Sequence, residues 1–193
     1  RNTLVGGSKG IHFEGTDFMS FSNDSTHITR LTGNTLYQQT DTAITLKKNL
    51  CPVVQGNSIY SPDSSIMGIF LEENNQTTIL ANRISLLNGG TGIYLDPYYG
   101  YDYNLVANNE VFVNTGQPDA AIELITTGST DKFDVVHNTL LIKGDNTSSY
   151  CIKANDDHSS IRIQNNILVN EAYGNTLNQN FNSNYNCLFT NGQ

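Results

Sequence analysis

Short segments in which apolar and polar residues alternate recur along the whole chain. Alternation with a period of two residues is typical of a β-strand that buries one face. The segments are too short for the 3.6-residue periodicity of a helical repeat, so the pattern predicts an all-β fold. One series has a polar or aromatic residue between two apolar ones: Ile11-His12-Phe13, Ile44-Thr45-Leu46, Ile69-Phe70-Leu71, Ile93-Tyr94-Leu95, Ile122-Glu123-Leu124 and Ile152-Lys153-Ala154.

A second series places an asparagine two residues before an apolar residue. Its members are Asn2-Thr3-Leu4, Asn34-Thr35-Leu36, Asn57-Ser58-Ile59, Asn82-Arg83-Ile84, Asn109-Glu110-Val111, Asn138-Thr139-Leu140 and Asn165-Asn166-Ile167. They are spaced by 32, 23, 25, 27, 29 and 27 residues, a mean of about 27. Short strands at this period, separated by Gly, Asn and Ser, predict a solenoid of about seven coils.

The repeated asparagine has a predicted structural role. Asparagine tolerates the left-handed backbone conformation at a tight corner. Its side-chain amide can also hydrogen-bond to the equivalent amide of the next coil. We therefore expect a ladder of amides along the stack, with each Asn at a left-handed corner. His137 directly precedes Asn138 and is expected to belong to a corner rather than to a catalytic site.

Composition and charge narrow the function classes. The 193 residues suit one domain, 1–193. With 10 Lys+Arg against 18 Asp+Glu the net charge is −8, so nucleic acid is not expected as a partner. The chain has no apolar run of about 18 residues, so membrane insertion is not expected either.

Cys51, Cys151 and Cys187 can form no more than one bridge and are expected to be small buried residues.

Two segments resemble a known superfamily. Residues 160–170, Ser-Ile-Arg-Ile-Gln-Asn-Asn-Ile-Leu-Val-Asn, look like one coil of the pectin-lyase-like proteins. Residues 184–189, Asn-Tyr-Asn-Cys-Leu-Phe, resemble an element that follows such coils in secreted bacterial proteins. The resemblance implies a right-handed parallel β-helix and a secreted or cell-surface bacterial location. It does not define a reaction, because the superfamily contains polysaccharide lyases, glycoside hydrolases, uronate epimerases, tailspikes and adhesins.

The two ends of the chain carry a further expectation. A solenoid needs capping elements over its open ends. Asn2-Thr3-Leu4 already has the pattern of the asparagine series, which is typical of the middle of a coil, and the chain stops soon after Phe189. We therefore expect a section of a longer protein, with the remainder of the parent chain as a partner. Residues 171–193 are expected to form an irregular C-terminal coil or a partial cap.

The outward residues of the first series should form columns along the stack. The middle residues give the column His12, Thr45, Phe70, Tyr94, Glu123 and Lys153, and residues two positions later give Glu14, Lys47, Glu72, Asp96, Ile125 and Asn155. A tyrosine-rich loop, 96–103, follows the fourth coil. Aromatic rings beside carboxylates suit sugar rings. We expect Phe70, Tyr94, Tyr98, Tyr99 and Tyr101 to contact a polysaccharide or cell-surface glycan.

Two functions follow from this face and stay open. The first is a non-catalytic spacer or adhesin with a carbohydrate-contacting surface. The second is a fragment of a lyase, glycoside hydrolase or epimerase. Resemblance to the lyases implies Lys153 as a base, assisted by Glu123 and Asp96. It also implies calcium as a cofactor, held by Glu72, Asp96 and Glu123. No Arg-x-Pro-x-x-Arg lyase element occurs in the chain.

Overall fold

The computed structural model describes residues 1–15, 28–98, 103–117, 119–126, 131–155, 160–178 and 181–191. Regular structure in these residues is β-strand throughout, and they contain no helix long and apolar enough to cross a membrane. Strands of successive repeats pair in parallel, so the chain is a parallel β-helix as predicted.

Each turn contributes strands to three faces. The first face contains β1 (Thr3–Val5), β4 (Thr35–Tyr37), the start of β7 (Ser58–Asn74), the start of β9 (Arg83–Pro97), β11 (Glu110–Thr115), β14 (Thr139–Gly144), β17 (Ile167–Asn170) and β20 (Cys187–Thr190). The second face contains β2 (Lys9–Glu14), β5 (Thr42–Lys47), the later parts of β7 and β9, β12 (Ala120–Leu124), β15 (Tyr150–Ala154) and β18 (Asn175–Leu177). The third face contains β3 (Arg30–Thr32), β6 (Val53–Gln55), β8 (Thr78–Leu80), β10 (Tyr103–Ala107), β13 (Lys132–Val136), β16 (Ile161–Gln164) and β19 (Asn182–Asn184).

The solenoid has about five turns, slightly fewer than the seven predicted. In these turns the strands of all three faces pair with a coil on both sides. The terminal strands β1, β2, β3, β18, β19 and β20 pair with a coil on one side. Residues 171–193, expected as an irregular coil or cap, form three short strands where they are described. These strands continue the stack, because β18, β19 and β20 pair with β15, β16 and β17.

The core is a single column of aliphatic side chains inside the coil. In one turn, Ile84 and Leu86 face inward from the first face, Ile93 and Leu95 from the second and Val106 from the third. All five are 1% exposed or less. Burial of this apolar surface provides the main free energy of folding.

A column of small residues lets the first and second faces approach closely. Its members directly precede the isoleucine of each Ile-x-Leu segment: Gly10, Ala43, Gly68, Gly92, Ala121 and Cys151. A Cβ at Gly92 would lie 2.4 Å from Val111 Cγ1 and 2.5 Å from the Ala121 carbonyl oxygen. Cys151 therefore serves as a small core residue, and burial raises the pKa of its thiol to about 12. All three cysteines are free thiols, but the expected burial holds for Cys151 alone, because Cys51 is partly exposed and Cys187 is exposed.

The predicted asparagine ladder runs along the corner before the first face. Side-chain amides of successive coils hydrogen-bond at 2.9–3.1 Å, through Asn2, Asn34, Asn57, Asn82, Asn109, Asn138, Asn166 and Asn186. Each acceptor oxygen also receives the backbone N–H of the preceding ladder residue. The ladder thus satisfies backbone donors at a corner where no β-sheet continues.

Two details of this prediction are wrong. The left-handed residue is not the ladder Asn but the residue before it, as in Ala81 and Asn108, which have φ of 53° and 55°. In the seventh repeat the ladder residue is Asn166, whereas Asn165 takes the left-handed position with φ of 56°. His137, with φ of 59°, occupies the same corner position, as expected.

We predict that Asn109→Ala lowers the free energy of unfolding by about 3 kcal/mol, because it leaves buried donors and acceptors of two neighbouring coils without partners. Asn109 is 2% exposed and exchanges amide hydrogen bonds with Asn82 and Asn138. The control is Asn114→Ala, which removes one exposed hydrogen bond to Leu87 and should cost less than about 0.5 kcal/mol. Urea denaturation of the three proteins provides the comparison, and equal costs would contradict the role assigned to the ladder.

Candidate functional site

The first outward column predicted on the second face is confirmed, and the second is confirmed over its first four members. Strand pairing aligns His12, Thr45, Phe70, Tyr94, Glu123 and Lys153 across six coils. It also aligns Glu14, Lys47, Glu72 and Asp96 across four coils. Because inward residues of the same strands are fixed in the core, the column residues point away from it. Nine of them are partly or fully exposed, whereas Thr45 is only 2% exposed. We refer to these ten residues as the second-face strip.

An aromatic pair lies at the centre of the second-face strip. The rings of Phe70 and Tyr94 are stacked, with centroids 4.9 Å apart and an interplanar angle of 15°. The Lys47 ammonium lies 5.3 Å from the centroid of the Phe70 ring, within cation–π range. The pair forms an apolar patch, next to a shallow cavity of about 230 Å³ that is lined by Lys9, Asp41, Thr42, Thr45, Lys47, Met67 and Phe70.

Ion pairs between adjacent coils flank the rings. Lys47 pairs with Glu72, and the Lys153 ammonium donates to Glu123 Oε1 at 2.7 Å. These side chains are partly exposed, so each pair contributes little to stability. The ion pairs do change the charge that the site offers to a ligand, because the ammonium groups of both lysines are already balanced by carboxylates.

Asp96 is the carboxyl group of the strip whose titration is most clearly changed. Partial burial, followed by the charges of Glu72, Glu73 and Asp131, raises the pKa of Asp96 to about 6. The pKa of Tyr94, in the neighbouring column, is raised by the same surroundings. Burial, followed by the charges of Asp96, Glu123 and Glu72, raises its pKa to about 12. This end of the strip therefore disfavours additional negative charge.

The structure gives each predicted catalytic residue a defined neighbour. Lys153 is held by Glu123, while Asp96 lies in the other column, between Glu72 and Ile125. In the described part of the chain, no three His, Cys, Asp or Glu side chains form a group that could hold a metal ion. Glu72, Asp96 and Glu123 are thus not assembled as a calcium site. Their catalytic roles stay predictions.

The tyrosine-rich loop is described in part. Tyr98 directly follows β9, is 36% exposed and donates its backbone N–H to the Asn74 carbonyl oxygen at 3.1 Å. Tyr99 and Tyr101 lie outside the described residues. The predicted contact of all three tyrosines with a glycan stays a prediction.

A cluster on the third face was missed in the sequence. Asp134 accepts hydrogen bonds from Arg162, one coil further on, and from Tyr103, one coil before. Burial would raise the pKa of Asp134, but the hydrogen bonds from Arg162 and Tyr103 outweigh burial and lower it. The three side chains satisfy one another, so the cluster ties three coils together and offers no reactive group.

An aromatic column on the first face was also missed. The rings of Tyr37 and Tyr60 stack with centroids 5.0 Å apart and an interplanar angle of 7°. Both residues stand three positions after a ladder asparagine, as do Ser85, Phe112 and Leu141 in the next three coils. This fourth position of the asparagine repeat was a sequence signal for the column.

Comparison with known proteins gives one family. The family model described as "Periplasmic copper-binding protein (NosD)" matches residues 1–141 of the 193 in the chain. Neither the curated proteins nor the solved structures include a match to this chain.

We predict that the pH dependence of stability changes in Asp96→Asn. The pKa of Asp96 is about 6 in the folded protein and has its ordinary value of 3.8 in the unfolded chain. Between these two pH values the folded protein keeps the proton, whereas the unfolded chain has lost it. Its contribution therefore stabilises the fold at low pH and is lost as the pH rises from about 4 to 6. Solvent screening of this half-exposed group reduces the effect to about 1 kcal/mol.

The measurement is urea denaturation of the wild type and Asp96→Asn between pH 4 and 7.5, together with an NMR titration of the Asp96 carboxyl carbon. The variant should lose less stability as the pH rises, and the titration midpoint should lie near 6. Parallel stability profiles and an unshifted midpoint would contradict the assignment.

Proposed function

The chain belongs to the NosD family of periplasmic β-helix proteins, and on that premise we propose that it is a non-catalytic periplasmic or surface module that binds a neutral glycan along its second-face strip. The observation that carries the proposal is the apolar patch of the stacked pair Phe70 and Tyr94, at 4.9 Å, on the second face. The apolar C–H face of a sugar ring packs on such a surface, while its hydroxyl groups find polar partners beside it.

The form of the strip favours an extended polymer. Outward side chains repeat along the stack about every 4.8 Å, which is the distance between neighbouring strands. A ligand that is itself periodic can make equivalent contacts with several coils. The shallow cavity next to Phe70 adds the hydroxyl groups of Thr42 and Thr45 to the apolar surface.

The charges of the strip favour a neutral rather than an acidic glycan. An acidic sugar needs a cation to balance its carboxylate, and Lys47 and Lys153 already pair with Glu72 and Glu123. The raised pKa of Asp96, at about 6, also reflects surroundings that oppose added negative charge. A uronate chain would meet the carboxylates of Glu72, Asp96 and Glu123, two of which already hold the neighbouring lysines.

An enzymatic function is the second candidate. The observation in its favour is Asp96, whose pKa of about 6 lets it hold a proton near neutral pH, with Glu72 in the adjacent coil. A pair of carboxyl groups, one of which holds a proton near neutral pH, is the arrangement that glycoside hydrolases use as acid and base or nucleophile. Glu72, however, is paired with Lys47, and Lys153 with Glu123, which favours a binding surface.

Copper occurs in the description of the family, and the described residues do not fit a copper site. Thiolate, thioether and imidazole groups are the usual copper ligands. The described residues hold no metal-binding group of three or more His, Cys, Asp or Glu side chains, and the Cys151 thiol is buried in the core with its pKa raised to about 12. His27 and His158 lie outside the described residues. Copper therefore has no part in the proposal.

We predict that Phe70→Ala combined with Tyr94→Ala weakens glycan binding about tenfold, because both stacking faces are removed. Affinity electrophoresis against a panel of neutral and uronate polysaccharides identifies a ligand, and isothermal titration with it compares the variants. The control is Tyr185→Ala, since Tyr185 is 78% exposed and lies outside the strip. Equal affinities of the wild type and the double variant, or binding of uronate chains alone, would overturn the proposed site.

The same panel separates the two candidate functions. Incubated polysaccharides are assayed for new reducing ends and for the ultraviolet absorbance of unsaturated uronates. We expect binding without products. Product formation that is lost in Asp96→Asn would replace the proposed binding function with the enzymatic one.

A further inference from the structure

The aromatic column of the first face is interrupted at a single coil. Strand register aligns Tyr37, Tyr60, Ser85, Phe112 and Leu141 across five successive coils, all facing outward. Four of these positions carry a ring or a large aliphatic side chain, whereas Ser85 carries a hydroxymethyl group. The column therefore has a gap between Tyr60 and Phe112.

The size of the gap follows from the spacing of the coils. Rings on adjacent coils stack with centroids 5.0 Å apart in Tyr37 and Tyr60, and 4.9 Å apart in Phe70 and Tyr94. Tyr60 and Phe112 are two coils apart, which corresponds to about 10 Å at about 4.8 Å per strand. One ring-shaped group can therefore enter above Ser85 and lie at stacking distance from its neighbours.

A cavity adjoins this gap and extends from Ser85 along Phe112 to Leu141, without Tyr60 among its lining residues. It has a volume of about 290 Å³ and is lined by Arg83, Ser85, Glu110, Phe112, Thr139 and Leu141, with the strand segments at Ile84 and Val111. Its size is close to the lower end of the range for small-molecule sites. None of these residues belongs to the second-face strip.

The lining has two chemically different sides. Phe112 and Leu141 form an apolar side. The opposite side carries Arg83 and Glu110, whose Nη2 and Oε1 atoms are 3.4 Å apart, and the hydroxyl group of Thr139. The paired charges of Arg83 and Glu110 balance, so this side offers hydrogen-bond donors and acceptors without net charge.

We propose that the cavity beside this gap is a binding site for one neutral pyranose ring. Such a ring packs its C–H face on Phe112 and Leu141 and directs hydroxyl groups to Arg83, Glu110, Ser85 and Thr139. A purely aromatic ligand would leave the polar side without partners, and a charged sugar would compete with the Arg83–Glu110 pair. The site lies on a different face from the proposed glycan strip and does not depend on it.

The test uses Ser85→Phe, which fills the gap with a protein ring, and Ser85→Ala, which keeps it open. The probes are methyl β-D-glucopyranoside and methyl β-D-galactopyranoside in the millimolar range, and backbone amide shifts are followed by NMR. We expect saturable shifts at residues 83–85, 110–112 and 139–141 in the wild type and in Ser85→Ala. In Ser85→Phe these shifts should be lost.

Filling the gap should stabilise the fold, so loss of binding in Ser85→Phe cannot come from unfolding. The added ring continues the stack from Tyr60 to Phe112, and Tm should rise by about 3 °C. Absence of shifts in the wild type, shifts that persist in Ser85→Phe, or shifts induced by phenol but by neither glycoside would each overturn the proposal. The double variant Phe70→Ala, Tyr94→Ala should retain the shifts, which separates this site from the second-face strip.

Discussion

The buried asparagine ladder is the interaction on which the rest of the solenoid depends. A coil must leave the third face and enter the first within two residues, and the backbone N–H groups of the ladder asparagines have no backbone carbonyl partner at this corner. The ladder amides accept these N–H groups and donate to one another, so every coil is locked to the next at the same position. Since side chains alternate with a period of two, fixing one position in each coil fixes the direction of every residue in the strands that follow.

This constraint explains why so much of the second face could be predicted from the sequence. Once Ile93 and Leu95 are assigned to the core, Tyr94 must face outward, and the register of the neighbouring coils follows. The side-chain partners could not be predicted in the same way. Alternation gives the direction of Lys47, but its ion pair with Glu72 and its position beside the Phe70 ring depend on rotamers and on the exact height of each coil.

The errors have physical causes as well. Asparagine is common at left-handed positions, so the ladder residue was assigned to the corner, although Ala81 and Tyr185 also adopt this conformation. A side chain in the ladder must point into the corner and be buried, while the residue before it absorbs the turn. In the seventh repeat two consecutive asparagines fit the pattern equally well, and the inward direction of Leu168 selects Asn166. The first-face column was missed because the asparagine repeat was interpreted only for its inward residue.

In-register stacking of the coils also determines at which pairs of positions the effect of one substitution depends on the residue at the other. Lys47 and Glu72 are 25 residues apart in the chain, and Lys153 and Glu123 are 30 apart, yet each pair occupies adjacent coils. The context of an outward residue is therefore set less by its neighbours in sequence than by residues one repeat away. During evolution, the gain of a charge or a ring in one coil changes the selective value of the equivalent position in the next. Among homologues, covariation at an interval of one repeat should consequently mark the outward faces, whereas inward positions should vary independently within the limits of volume.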